Sequence, residues 1–323
     1  MGIGNLSLSE KITGAMKYAS IKFQKRPVLM NLEVTKRCNA RCDFCDYWKS
    51  KDKNELEDYL PIVQKINPLV LAITGGEPTL RRDLADIIKR IKDNMDTIYI
   101  SMISHGYMLN EQKAQKLLDA GLDQICISVD YLGVRHEESR GLKGLWAHLD
   151  QLIPALGKMG FQNVALNTII MNDNLDEIVP LVHKAKEWGV KVGFSSYTSL
   201  KVGNDTHYID QARQKDLENV INQLLKLKRE LKNIMSSDYY LENIPNYFSN
   251  RSLGDCQAGR DWVQVTPDGY IKHCSEFPIF THYSEYNHKE VVSPDCDKCW
   301  YSCRGESQAP FSVQRVVELA TTN

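Results

Sequence analysis

The chain has 323 residues and a mass of 36.9 kDa. That is enough for a sizeable core and for one large domain or two ordinary ones. Forty Lys and Arg against 41 Asp and Glu leave a net charge of -1, which removes any global reason to expect nucleic-acid binding. Hydrophobic content of 42%, a mean hydropathy of -0.38 and no apolar run near the ~18 residues of a membrane span predict a globular, soluble chain.

Met1–Leu6 lacks the apolar core of a signal peptide and has Leu6 where a myristoylation motif needs Ser or Thr, so a cytosolic location is expected. Residues 7–23 then read as an amphipathic helix. Ser7 and Glu10 suit a capping box, and Ile12, Ala15, Met16, Ala19 and Phe23 share a face. Residues 1–30 carry five positive charges (Lys11, Lys17, Lys22, Lys25, Arg26) against Glu10. Such a helix either packs across the rest of the protein or makes peripheral contact with an anionic membrane.

From Leu29 onward short apolar runs predict six strands: Leu29–Val34, Leu69–Ile73, Thr97–Met102, Gln124–Val129, Asn163–Ile170 and Val190–Phe194. Helical spacing lies between them at Asn54–Ile66, where Pro61 is set to kink the helix, and at Asp83–Asn94, Asn110–Ala120, Leu142–Met159 and Leu175–Trp188. Gly121, Gly160 and Gly189 supply helix stops. Six strand–helix units predict an α/β fold with a parallel sheet, either a partial (β/α)6 barrel or a doubly wound open sheet, with ligands at the carboxyl ends of the strands. A long helix is expected over Gln211–Ser236, and a loop at Asn243, Pro245 and Asn246 suggests a boundary near residue 240. Beyond it, Trp262–Thr266 and Tyr270–Cys274 flank Pro267-Asp268-Gly269, a hairpin signal. The remainder is turn-rich and would need a metal site to hold it.

Nine cysteines are the unusual feature. Cys38, Cys42 and Cys45 follow the first strand, whereas Cys256, Cys274, Cys296, Cys299 and Cys303 fall in the last quarter. Cys126, inside the fourth strand, reads as a core thiol. A chain this long is no small disulfide scaffold, so clustered thiols point to metal or redox sites. Three thiolates on one loop suit an Fe–S cluster better than zinc, because the nearest histidine is His105.

With Thr74-Gly75-Gly76-Glu77-Pro78 directly after the second strand, the CxxxCxxC loop resembles that of the radical SAM superfamily, whose cluster motif follows the first strand of a partial (β/α)6 barrel. The resemblance implies a 4Fe–4S cluster on Cys38, Cys42 and Cys45 that binds S-adenosyl-L-methionine and, when reduced, cleaves it to methionine and a 5′-deoxyadenosyl radical. Phe44 holds the place of the motif's aromatic residue. Gly75, Gly76, Glu77 and Pro78 would form the element that binds the methionine amino group. Ser104 would contact the ribose, although His105 departs from the usual asparagine. Ser128 and Arg140 would reach the carboxylate, and Asn167 lies on the adenosine side.

Cys256, Gly269 and Cys274 resemble the opening of SPASM and twitch extensions, which carry auxiliary clusters. On spacing alone, four sulfurs from this region suit zinc or an Fe–S cluster. The resemblance implies one auxiliary 4Fe–4S cluster, with Cys256, Cys274, Cys296 and Cys299 as ligands. Cys303 is then an alternate ligand, a hydrogen donor as in radical epimerases, or a bystander.

The expected domains are residues 1–28 (helix), 29–240 (barrel) and 241–323 (a small cysteine-rich C-terminal extension of hairpin plus helix). The expected activity is hydrogen abstraction from a C–H bond of a small-molecule, sugar or lipid-like substrate, leading to oxidation, epimerisation or C–C bond formation. Flavodoxin or ferredoxin would be the electron donor. Peptide-modifying relatives often carry a separate leader-binding domain of about a hundred residues, for which no segment is evident. A peptide maturase and, in another class, a non-catalytic zinc or Fe–S module are the alternatives.

Overall fold

The computed structural model describes residues 8–159, 161 and 163–310. All six predicted strands form, within two residues of their expected limits: β1 (Leu29–Thr35), β2 (Val70–Gly75), β3 (Tyr99–Ser104), β4 (Gln124–Ser128), β5 (Val164–Ile170) and β6 (Lys191–Ser196). They pair in parallel and in sequence order. The fold is the partial-barrel type of α/β protein.

Alternate residues explain the two faces of this sheet. Met30, Leu32 and Val34 of β1, and Ile125 and Ile127 of β4, are almost wholly buried in the apolar core. That layer also contains α3 (Leu84–Asp93), α4 (Glu111–Asp119), α6 (Leu145–Lys158) and α7 (Leu175–Glu187). The intervening residues on the opposite face are largely polar or small, including Asn31, Glu33, Ser101 and Gln124. Cys126 lies on that second face. It is half-buried, its thiol is 3.6 Å from Gln124 Oε1, and it is absent from the apolar core. The core-thiol reading therefore fails, because strand parity turns Cys126 the other way.

The expected helix at Asn54–Ile66 is shortened to α2 (Leu60–Ile66), and Pro61 sits in its first turn, where no backbone donor is needed. A separate helix, α5 (Val134–Arg140), precedes α6. Gly121 and Gly189 take positive φ angles of 99° and 73° at helix ends, whereas Gly160 lies outside the described residues.

The expected 211–236 helix resolves into a short turn and α8 (Gln214–Leu231). The expected loop around Pro245 is instead interior to α9 (Asp238–Asn250), capped by Ser237 Oγ on the Tyr240 amide. A proline inside a helix costs about 3 kcal/mol. Burial of Tyr240, Leu241, Ile244, Tyr247 and Phe248 on one face outweighs it, at about 1.5–3 kcal/mol for each fully buried large apolar side chain.

Beyond α9, the predicted hairpin forms as β7 (Trp262–Val265) and β8 (Tyr270–Lys272), joined through Gly269 at φ 89°. A third strand, β9 (Ile279–His282), was not expected. The hairpin also continues the barrel sheet, because β7 pairs in parallel with β1, giving the order β6-β5-β4-β3-β2-β1-β7-β8-β9. A final helix, α10 (Ser302–Gln308), packs against α9.

The N-terminal helix, α1, is described over Leu8–Phe23. The capping-box reading lies outside the described residues at Ser7 and outside the described side chains at Glu10. Ile21 is fully buried, Lys17 Nζ donates to Thr97 O at 2.5 Å, and Lys22 pairs with Asp261 at 3.3 Å. The predicted apolar face points away: Ile12, Met16 and Phe23 are 52%, 68% and 90% exposed. Among the described residues no helix is long and apolar enough to cross a membrane.

Replacing the cap in Ser237→Ala is expected to lower the stability of the α9 region by about 1 kcal/mol. Hydrogen-exchange protection of the Tyr240 amide would report the loss, and unchanged protection would show the cap to be idle.

Candidate active site

The first cysteine loop is held by backbone hydrogen bonds from two sides, the end of α5 and the end of β2. Arg41 N donates to Arg140 O, Gly76 N to Thr35 O and Glu77 N to Arg37 O, each at 2.8 Å. The two glycines are small because of this docking: a Cβ on Gly75 would lie 2.1 Å from Thr35 O, and one on Gly76 2.1 Å from Arg37 O. The sequence reading assigned that space to a ligand. The structure assigns it to the approach of the β2 end to the cysteine loop.

Cys42 is buried, and Cys38 and Cys45 are half-buried. Burial pushes the Cys38 and Cys42 thiols up to about 11 and about 12. Metal binding by such thiols must release protons, and a cationic metal favours the thiolate form that burial disfavours.

Arg140 sits 3.8 Å from Cys42 Sγ through Nη1, stacks 5.6 Å above the Phe44 ring and pairs with the fully buried Asp130. Its Nε is buried without an acceptor. A buried guanidinium with a free donor beside a thiol loop suits a ligand bearing a carboxylate. The carboxylate of S-adenosylmethionine would satisfy this orphaned donor.

Glu77 is 1% exposed, and protein donors already surround it. Oε1 accepts from Thr79 N at 3.0 Å, Thr79 Oγ1 at 2.5 Å and Ser104 Oγ at 2.7 Å. Oε2 accepts from His105 N at 3.0 Å, and His105 Nε2 lies 3.2 Å away. Pro78 opens the short turn that presents Thr79. The Tyr107 amide donates to His105 Nδ1 at 3.0 Å, which leaves the proton on Nε2 to reach Asn39 Oδ1 at 2.9 Å. His105 thus ties the cysteine loop to the ends of β2 and β3, a role its departure from asparagine did not announce. Burial lowers its pKa.

Ser128 and Asn167 are register partners across β4 and β5, so their side chains share the barrel's inner face. Thr168 belongs to the other face and donates to Val129 O at 2.7 Å.

His207 was missed altogether. Its Nδ1 lies 2.9 Å from Asp173 and its Nε2 3.2 Å from Asp43, within the cysteine loop, while its ring meets Phe44 edge-on. The hydrogen bond to Asp173, with the charges of both aspartates, raises its pKa against the effect of burial.

The second group of thiols lines a shared cavity. Cys256, Cys274, Cys296, Cys299 and Cys303 line one cavity, beside Tyr301 and Arg304. Cys256 N donates to Cys296 O at 3.1 Å. Arg304 is fully buried and holds the surrounding turns, donating to Cys299 O at 2.6 Å and Gly254 O at 2.7 Å. Trp300 stacks on Tyr240 of α9 with centroids 5.8 Å apart. Five thiols around one cavity are the kind of donor set that a polynuclear cluster would use. Among the described residues no three His, Cys, Asp or Glu side chains converge as ligands of a single ion.

Residues 32–185 match the model of the Radical SAM superfamily. The chain is a radical SAM enzyme, of the class that uses a 4Fe–4S cluster and S-adenosylmethionine. It is similar to GTP 3′,8-cyclase of Nautilia profundicola, 27% identical over 287 residues that cover 84% of this chain and 86% of that one. GTP 3′,8-cyclase of Staphylococcus haemolyticus is 30% identical over 242 residues, covering 69% and 66%. Among solved structures, Streptococcus suis SuiB bound to S-adenosylmethionine superposes with a TM-score of 0.63 at 15% identity, covering 88% of this chain and 69% of that one. The anSMEcpe structure with bound AdoMet gives 0.62 at 19%, covering 82% and 79%. At such identities these two establish the shared fold.

The raised His207 pKa sets a direction for stability. A histidine bound more tightly to its proton when folded contributes fully below its unfolded pKa of about 6.5, and loses that contribution as pH rises through the folded value. Thermal melting of the metal-free chain should therefore show the advantage over His207→Gln fully present below about pH 6.5 and shrinking as the pH rises above it. An advantage independent of pH would mean that the two aspartates do not stabilise the charged ring.

Proposed function

We propose that Cys38, Cys42 and Cys45 hold the radical-generating 4Fe–4S cluster, and that the resulting 5′-deoxyadenosyl radical takes hydrogen from a C–H bond of a small molecule. The observation that carries this reading is the docking of Gly76 and Glu77 onto the backbone of the cysteine loop, which makes one unit of the two motifs. When bound, the cluster would supply the electron for cleavage of S-adenosylmethionine. The chain's residues orient that cofactor: Arg140 offers Nε to its carboxylate, and Ser128 and Asn167 present polar groups from neighbouring strands. Glu77, Ser104 and His105 fix the loop that carries the thiols. The five-thiol cavity is assigned to one auxiliary 4Fe–4S cluster, with Cys256, Cys274, Cys296 and Cys299 as ligands and Cys303 in reserve. A small flavoprotein or ferredoxin would deliver the electron.

Anaerobically reconstituted protein should be brown, contain about seven to eight irons and form 5′-deoxyadenosine on reduction. Cys38→Ala/Cys42→Ala/Cys45→Ala should abolish that product, whereas Cys256→Ala should retain it. A colourless, zinc-loaded protein would favour the non-catalytic alternative.

The outward apolar face of α1 supports peripheral contact with anionic lipid as part of the same proposal, with the exposed Lys25 beside Phe23, while Lys17 and Lys22 are tied to the protein. Co-sedimentation with phosphatidylserine-containing vesicles is expected, and Met16→Glu/Phe23→Glu should abolish it. Wild-type protein that stays in the supernatant would end this part of the proposal.

A further inference from the structure

The wall of the five-thiol cavity contains a buried donor that has no acceptor among the described residues. Trp262 of β7 is 1% exposed and packs with Cys256, Ala258 and Cys274, with Cys296 and Cys303 at the edge of the same cluster. Its indole Nε1 is buried and unpartnered. Strand parity turns the ring toward the thiols. Trp262 and Gln264 share a face of β7, opposite Leu29 and Asn31 of β1, and Asn31, Trp262 and Gln264 all line the cavity.

Three other side chains of this wall already have acceptors for their donors. Gln264 Nε2 donates to Glu33 Oε1 at 2.8 Å, the Tyr301 hydroxyl to Glu276 Oε1 at 3.1 Å, and Arg304 to Cys299 O at 2.6 Å and Gly254 O at 2.7 Å. Trp300, the neighbouring indole, donates from Nε1 to Tyr240 O at 3.0 Å. Burial raises the Cys256, Cys274 and Cys299 pKa values, and the backbone amides of Ala258, Glu276 and Tyr301 partly offset it. Those sulfurs therefore draw their donors from the main chain, and Trp262 Nε1 is left over as a side-chain donor.

An indole N–H usually has a partner when it is buried, because a bare buried donor is unfavourable. Phenylalanine would fill the same apolar site without that penalty, so the indole calls for an acceptor that arrives with the occupant of the cavity. The sulfurs of an Fe–S cluster are such acceptors, and hydrogen bonds to them help to set its reduction potential. Reduction adds negative charge to the cluster, so a donor stabilises the reduced form more and raises the potential.

We infer that Trp262 donates its indole N–H to a sulfur of the auxiliary cluster and thereby raises that cluster's reduction potential. The inference rests on the assignment of the five-thiol cavity to an auxiliary 4Fe–4S cluster. It gives the second site a tuning residue that neither cysteine spacing nor the Gly269 turn announces.

The test uses the full chain with Cys38→Ala/Cys42→Ala/Cys45→Ala, reconstituted with iron and sulfide, so that any cluster signal comes from the second site. A redox titration followed by electron paramagnetic resonance gives the potential. Adding Trp262→Phe keeps the apolar bulk and removes the donor. It should lower the reduced-to-oxidised ratio at a fixed potential about tenfold, a shift of about 59 mV to more negative potential for one electron. With the indole nitrogens isotopically labelled, the reduced cluster should show a nitrogen hyperfine coupling that Trp300→Phe keeps and Trp262→Phe loses. Packing alone would not produce that coupling. An unchanged potential in a cluster-loaded Trp262→Phe chain, no coupling in the labelled parent chain, or a coupling lost in Trp300→Phe overturns the inference. The coupling is read with Trp262 in place, so it decides the matter even if Trp262→Phe takes up no cluster. A parent chain that binds no iron sinks the auxiliary-cluster reading itself, whereas a loaded chain without the coupling sinks the role of Trp262 alone.

Discussion

Strand β1 is hydrogen-bonded on both edges, and the organisation of both thiol sites depends on that fact. On one side Leu29–Thr35 runs parallel to β2, whose last residue leads into Gly76 and Glu77. On the other, Leu29–Leu32 runs parallel to β7, the first strand of the cysteine-rich extension. Parallel pairing needs a long crossover, and here the chain makes five further strand–helix steps before β7 returns to β1. The result is that Cys38, Cys42 and Cys45 leave the end of the strand that also sets the register of the second thiol site. A shift of one residue in β1 would reverse the faces of Asn31 and Glu33 and break the hydrogen bond between Glu33 and Gln264.

Around that strand, rigidity comes from saturation of hydrogen bonds. Glu77 gathers Thr79, Ser104 and His105, and His105 passes the connection to Asn39 in the cysteine loop. In a low-dielectric interior such a fully satisfied carboxylate holds its neighbours firmly, whereas one missing partner would leave a costly buried charge. Arg140 and Asp130 do the same from β4 and α5, and Arg304 does so with backbone carbonyls behind the second site. Three buried ionic groups thus place loops that have little regular secondary structure of their own.

Much of this was legible in the sequence. The six barrel strands follow from apolar runs, the two thiol groups from cysteine spacing, and the β7–β8 hairpin from Pro267-Asp268-Gly269. The departures have physical causes. Pro245 looked like a boundary because propensity is local, but a face of five large side chains made it helical. Cys126 looked like core because its neighbours are apolar, but alternation along β4 turned it inward. Arg304, His207 and Glu33 left no signal, because a charged residue becomes a buried tether only when its partners arrive from elsewhere: Asp43 and Asp173 for His207, Gln264 for Glu33.

The sequence by itself determined the class of chemistry, because three thiols at fixed short spacing after a strand and a Gly-Gly-Glu-Pro turn after the next are local patterns that survive in one dimension. Tertiary structure alone decided how the second thiol site is joined to the first, which way α1 turns its apolar face, and which buried polar side chains of β1 and β7 meet. Those properties depend on strand register and on pairs of residues as far apart as Glu33 and Gln264, and only the folded sheet brings them within 2.8 Å.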